Sequence, residues 1–261
     1  MASSRIGIET ADMVATVTID RPERRNAFDD EIIEEFVALL EGISIATARC
    51  AILTGGGGAT FCAGYDVGCI DPEQPADEPH PDQRFERAVE AVHALPIPVV
   101  CAMNGNAFGG GFDLALACDY LIARRGARLA MTPSKLGLVY SASGISRFAS
   151  KLGSRLARRI LVTALPMDAE EAFRLGILDE LAEPEDLPVR AREVAGAIAG
   201  NAPLAMKGTR ATILAFERDR LHLPETAMEL DRLRLEALRS GDMAEGLQAF
   251  RKKRAPKFCG K

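Results

Sequence analysis

Two glycine-rich junctions carry the residues best suited to chemistry in this chain. At one, the apolar run Ile97–Met103 leads through Asn104–Phe108 into Gly109, Gly110 and Gly111, and then into Phe112–Cys118. The first run, with its β-branched residues, reads as a buried strand and the last as a buried helix, so the glycines sit where a strand turns into a helix. Glycine there permits positive φ and lets a ligand approach the main chain closely. The unpaired N–H groups of a helix start then favour negative charge. A glycine triplet alone would serve equally as a tight turn for helix–strand packing. A second junction shifts the balance: Cys50–Thr54 runs into Gly55–Gly58 and on through Ala59–Val67. Two turns that each direct one N–H at the same oxygen make an oxyanion hole from backbone alone.

Other chemistries find less support. Six cysteines fall at 50, 62, 69, 101, 118 and 259, without a CxxC pair and with only three histidines, so metal-ligand spacing is absent. Cys50, Cys101 and Cys118 stand in apolar runs and read as small buried hydrophobes. Cys62, beside the second glycine turn, lacks a nearby histidine to activate it as a nucleophile. Neither G-x-G-x-x-G after a strand, G-x-x-x-x-G-K-[ST], nor G-x-S-x-G occurs.

The elements that must position the junctions can be read in order. Gly7–Asp20 alternates as two strands joined around Ala11–Asp12, and Asp29 or Asp30 can cap a helix carrying Ile32, Ile33, Phe36, Val37, Leu39 and Leu40. Asp71–Gln83, with four prolines, predicts an inserted loop, and Phe85–Leu95 a helix with Val89 and Val92 inward and His93 in a packing or surface role. Asp119–Ala123 and Ala127–Met131 predict two strands. Thr132–Arg147 then leads to an amphipathic helix ending at Thr163. Asp168 and Glu171 fit a capping box, Gly176 the helix end, and Ile177–Ala182 a last strand. Repeated strand–turn–helix units indicate an α/β domain over residues 1–200. Residues 201–261 carry helical periodicity only, in Leu204–Arg218, Glu225–Leu238 and Asp242–Arg254, with Asp242 and Glu245 as a further capping box. Arg251, Lys252, Lys253, Arg254 and Lys257 cluster near the end, as a solvated helix terminus or a phosphate clamp.

The 261 residues, 48% hydrophobic, suffice for one large core or a domain with an appendage. A net charge of −5 leaves no footprint for nucleic acid. No apolar run reaches the ~18–20 residues of a membrane span, and the first twenty residues do not have the pattern of a secretory signal. A cytoplasmic location is the expectation.

Taken together, RPERRNAF, ILTGGGGATFCAGYDV, IPVVCAMNGNAFGGGFDLALACD, LAMTPSKLGLVY, DAEEAFRLGILDE and AFRKKRAPKF resemble the crotonase (enoyl-CoA hydratase/isomerase) superfamily over nearly the whole chain. The resemblance implies a β-β-α spiral core, a C-terminal helical oligomerisation region, homotrimers or dimers of trimers, and acyl-coenzyme A thioester substrates, with no cofactor beyond the substrate's own coenzyme A. It implies that the N–H groups of Tyr65 and Gly110 hold the thioester oxygen as it becomes an enolate. Coenzyme A would lie near Arg25, Ala27, Ala63, Asp66 and Val67, with Lys253 reaching its phosphates. Hydratases of that family place one glutamate where Asp113 stands and a second where Pro133 stands. Without the second carboxylate, addition of water to an enoyl double bond lacks one of its two proton handlers. MTPSKLGLVY is more similar to the methylmalonyl-CoA decarboxylase branch, in which a tyrosine matching Tyr140 lies near the substrate carboxylate; that branch has histidine at Tyr65 and glutamate at Asp113. Decarboxylation of a malonyl-type acyl-CoA is therefore the leading expectation, with Tyr140 as a neutral donor and Asp113, Tyr65 and Tyr140 lining the acyl end. The alternatives are a hydratase or isomerase with Asp113 as its sole carboxylate, and an acyl-CoA-binding protein without chemistry.

Overall fold

The computed structural model describes residues 5–70, 79, 81–218, 225, 228, 229, 232, 236 and 239–261. The chain opens with the expected hairpin, β1 (Ile6–Ala11) and β2 (Val14–Ile19), whose turn uses positive φ at both Asp12 and Met13, as a two-residue type I′ turn requires. Helix α1 (Asp30–Glu41) follows, with the side chain of Asp29 accepting from Ile32 N at 3.0 Å.

Three successive units then each place a longer strand in one sheet and a short strand in another. They are β3 (Cys50–Gly55) with β4 (Thr60–Cys62), β5 (Val99–Met103) with β6 (Asn106–Phe108), and β7 (Tyr120–Arg124) with β8 (Arg128–Ala130). Helices α2 (Pro81–Ala94), α3 (Gly110–Leu116) and α4 (Ala142–Thr163) follow these pairs. Later come β9 (Met167–Asp168), α5 (Ala169–Arg174), β10 (Glu180–Ala182), α6 (Leu187–Ala199), α7 (Pro203–Glu217) and α8 (Gly241–Lys252). The large sheet has the order β1-β2-β3-β5-β7-β10 and is parallel except for the first pair. The small one runs β4-β6-β8-β9, antiparallel only at its last pair.

Strand alternation sorts the large sheet's side chains onto two faces. Leu53, Cys101 and Met103 join the main core with Phe28, Phe36, Phe85, Phe112 and Phe148. Ile52, Val100 and Ala102 face α6, whose Leu187, Ala191, Ala195 and Ala199 repeat every fourth residue along one stripe. That helix was not foreseen; Pro188 at its second position is compatible with a helix start.

Other expectations need revision. The loop reading of Asp71–Gln83 fails at its end, because α2 begins at Pro81 and takes in Asp82 and Gln83, while residues 71–78 and 80 lie outside the described residues. Helix α4 starts at Ala142, inside the stretch read as leading up to it, and breaks at Gly153 (φ 75, ψ 152). The two capping boxes are incomplete. Asp168 accepts from Glu171 N, but Glu171 pairs with Arg159. Asp242 accepts from Cys259 N and Gly260 N and thereby anchors the tail. Of the reading of Glu225–Leu238, only residues 225, 228, 229, 232 and 236 are described, all helical. Beyond residue 200 the described elements are helices. Helix α7 is joined to the core by Arg210, which donates to the carbonyls of Val92, His93 and Leu95 and pairs with Asp119.

Candidate active site

The two glycine junctions meet. Gly64, at φ 83, lies so close to the start of α3 that an added Cβ would stand 2.6 Å from Gly110 N. Gly109 adopts φ 54, ψ −126, a conformation for glycine alone, and a Cβ on Gly111 would stand 2.0 Å from Cys62 O. The glycines let helix and strand pack, and the same packing brings the two turns together. Phe28 N donates to Gly64 O at 2.8 Å and Asp66 N to Phe28 O at 2.7 Å, which fixes the backbone on both sides of Tyr65. Neither Tyr65 N–H nor Gly110 N–H has an acceptor among the described residues.

Both residues line a pocket together with Ala63, Val67, Phe85, Gly109, Thr132, Pro133, Leu138, Val139 and Tyr140. Among the described residues, none that lines the pocket is a carboxylate, imidazole, thiol or amine. The wall from Pro133 begins as a single 3-10 turn, Pro133–Leu136, closed by Gly137 at φ 76. Tyr65 lines the pocket, but its O–H is given to Asp30 at 2.9 Å, and burial together with Asp30 raises its pKa to about 12.

Asp113, expected to line the acyl end, is instead fully buried behind Tyr140 and is not part of the pocket wall. Its Oδ1 accepts from Arg147 Nε at 2.8 Å, and its Oδ2 accepts from Arg147 Nη2 at 3.2 Å and from the Tyr140 hydroxyl at 2.8 Å. Arg147 Nη2 also donates to Glu86 Oε1 at 2.8 Å. The sequence places these groups far apart, but Phe112 of α3 packs edge-on against Phe148 of α4 at 5.2 Å. That contact sets the neighbouring Asp113 and Arg147 against each other. Burial alone would weaken the charge on Arg147, yet Asp113 and then Glu86 raise its pKa above the ordinary value. Burial and the adjacent Asp113 hold the Tyr140 phenol well above its usual pKa. Tyr140 is thus neutral, as expected, but its proton is directed at Asp113, not into the pocket. Glu86 and Arg147 carried no motif that sequence reasoning could have used.

The residues expected around coenzyme A gather beside the pocket. Ala63 N donates to Arg25 O at 3.2 Å, and Arg21 donates to Ala27 O and pairs with Asp29 and Asp66. Arg21 was missed; it lies at the end of β2, where ligands gather in α/β folds, and it joins the two loops. Val67 is exposed at the pocket rim. Lys253 lies beyond the end of α8, exposed and outside the pocket wall. Arg254 is paired with Glu245. Cys62 is buried, its thiol pushed up to about 12 by burial, which removes it as a nucleophile at neutral pH. His93 is buried, as the packing reading allowed. Among the described residues no group of three or more potential ligands could hold a metal ion, and no helix is long and apolar enough to cross a membrane.

The family model for enoyl-CoA hydratase/isomerase matches residues 9–261. The chain belongs to that family. It is an acyl-CoA enzyme of the crotonase superfamily, and similarity extends over whole chains. It is 34% identical to 1,2-epoxyphenylacetyl-CoA isomerase from Escherichia coli over 95% of both proteins. It is 33% identical to carnitinyl-CoA dehydratase from Proteus mirabilis, over 99% of this chain and 100% of that one. The crystal structure of an enoyl-CoA hydratase from Bacillus anthracis superposes with a TM-score of 0.88 at 32% identity, covering 98% of this chain and 100% of that one. The paired strands and helices described above are thus the spiral core of this family.

Proposed function

We propose that this enzyme decarboxylates a malonyl-type acyl-CoA and holds the resulting thioester enolate on the N–H groups of Tyr65 and Gly110. The observation that carries the reading is the combination of two backbone donors without acceptors and a pocket wall that, among the described residues, holds no carboxylate, imidazole, thiol or amine, while the buried carboxylate Asp113 has both oxygens occupied. Decarboxylation needs no base to begin. The bond from C2 to the carboxylate breaks, its electron pair moves into the thioester, and the carbonyl oxygen becomes the anion that the two N–H groups receive. Each such donor is typically worth ~2.7–4 kcal/mol of transition-state stabilisation. The apolar wall of Phe85, Leu138 and Val139 favours neutral CO2 over the carboxylate it replaces. Water admitted as CO2 leaves then supplies the proton at C2, because the Tyr140 proton is engaged with Asp113. Coenzyme A extends from the pocket past Val67, Ala63 and Asp66 toward Arg25 and Ala27, with Lys253 as a phosphate partner.

A hydratase reading draws on the names of the relatives, but it requires proton transfer to and from a group that faces the substrate. Replacement of Asp113 separates the two. Decarboxylation by Asp113→Asn should fall by no more than about tenfold, the effect of loosening Tyr140. An enzyme that used Asp113 as its general base would lose ~10²–10⁴-fold. The exposed apolar Ile213 and Phe216 on α7, with Met228 beyond it, support assembly of this chain into homotrimers, which light scattering coupled to size exclusion would detect.

A further inference from the structure

We propose that Arg147 is a positioning residue that withdraws Asp113 from acid–base service and so selects the reaction this site performs. The inference rests on the reading of Tyr65 and Gly110 as an enolate site. Arg147 is buried, and its guanidinium takes an oxygen of Asp113 at 2.8 Å and an oxygen of Glu86 at 2.8 Å. Of the four linked residues, Tyr140 alone reaches the pocket wall.

That arrangement leaves Asp113 one route to a substrate proton, a relay through Tyr140. In the relay the C2–H bond breaks, its electron pair moves to the thioester oxygen, and the proton goes to the phenol oxygen. The phenol proton moves at the same time to Asp113 Oδ2, so Tyr140 ends neutral and Asp113 ends as the acid. Arg147 opposes this transfer. Protonating Asp113 would give up its buried ion pair with Arg147 where water cannot replace it, leaving the guanidinium with Glu86 alone. With an uncharged side chain at 147, burial itself would favour the protonated acid, and the same relay would become a working base. Glu86 pairs with the same guanidinium, so Arg147, Asp113 and Glu86 together carry one net negative charge and Asp113 depends on Arg147 to stay ionised.

Hydrogen–deuterium exchange at C2 of propionyl-CoA in D2O, followed by mass spectrometry from pH 5 to 9, tests this. The saturated thioester has no carboxylate to lose, so exchange reports base strength alone. The wild-type enzyme should exchange at the background rate across the range. Arg147→Met should exchange at least tenfold faster, with a rate that rises sigmoidally with pH. The double variant Arg147→Met/Asp113→Asn should return to background, and Arg147→Lys, which keeps a charge beside Asp113, should stay near wild type. Should Arg147→Met fail to fold with Glu86 left uncompensated, Glu86→Gln/Arg147→Met is read in its place with the same expected gain. No acceleration in a folded variant lacking the Arg147 charge would overturn the inference. So would acceleration that survives loss of Asp113. Failure of the wild type to release CO2 would instead count against the decarboxylase reading and leave the exchange result unaffected.

Discussion

At the scale of single residues, the site depends on the contact between Gly64 and Gly110. The positive φ of Gly64 and the 2.6 Å approach of an added Cβ to Gly110 N leave no room for a side chain. Gly64→Ala should therefore lower kcat by ~10²-fold or more, the scale of losing one oxyanion donor, with thermal melts showing whether the fold survives. Loss of activity of less than tenfold in a folded variant would mean that Gly110 N–H is not aimed at the reacting oxygen. Tyr140→Phe should act more weakly, by about tenfold, because it removes one hydrogen bond to a buried carboxylate that Arg147 still holds. Much of this scale was legible in the sequence: the glycine junctions, Asp113 and Tyr140 announced themselves by type and spacing. What was not legible is the state of Asp113. A carboxylate in the first turn of a helix looks the same whether its partner is a substrate or an arginine 34 residues away, and only packing of Phe112 on Phe148 brings that arginine in.

At the scale of elements, loops from different units are fastened to one another by a few buried polar groups. Asn26, at φ 56 and fully buried, donates from Nδ2 to Thr60 O at 2.6 Å and to Gly56 O at 3.0 Å, and its Oδ1 accepts from Arg21 N at 2.9 Å. It thus fixes the loop after β2 against the turn between β3 and β4, the turn that leads to Tyr65. Asn26→Ala would leave buried backbone groups unpaired and place alanine in a left-handed conformation. Urea unfolding should show a loss of about 2–4 kcal/mol, and a change below 0.5 kcal/mol would contradict this role. Strands announced by alternation, β1 and β2, or by a short apolar run between turns, β5 and β7, were read correctly. Helix α6 escaped because its stripe is alanine, too weakly apolar to stand out as a periodic signal, although alanine is what a close approach to the sheet requires. The start of α2 was hidden by the prolines before it, since Pro81 reads equally as loop and as a first helical residue.

At the scale of the whole molecule, α2 and α7 are held together around a neutral histidine. Arg218 Nη2 lies 2.7 Å from His93 Nδ1, so that nitrogen is the acceptor and the proton sits on Nε2, which is buried without a partner among the described residues. Burial, aided by the charges of Arg147 and Arg218 and opposed by Glu90, pushes His93 down to about 4. The unfolded chain binds a proton at this histidine below about pH 6.5 and the native protein only near pH 4, so stability is lost as pH falls through that window. The contribution is about 2 kcal/mol between pH 7 and pH 5. Urea midpoints should drop across that range, and His93→Leu should flatten the dependence; an equal slope in the variant would show that other groups carry it.

As proposed, this crotonase makes its enolate by losing CO2 and not by moving a proton. Incubation with methylmalonyl-CoA, malonyl-CoA and crotonyl-CoA, with the thioester products identified by mass spectrometry, tests it most directly. At least one malonyl-type substrate should lose 44 mass units, the mass of CO2, and crotonyl-CoA should be recovered unchanged. Addition of water to crotonyl-CoA with both malonyl-type thioesters intact would contradict it.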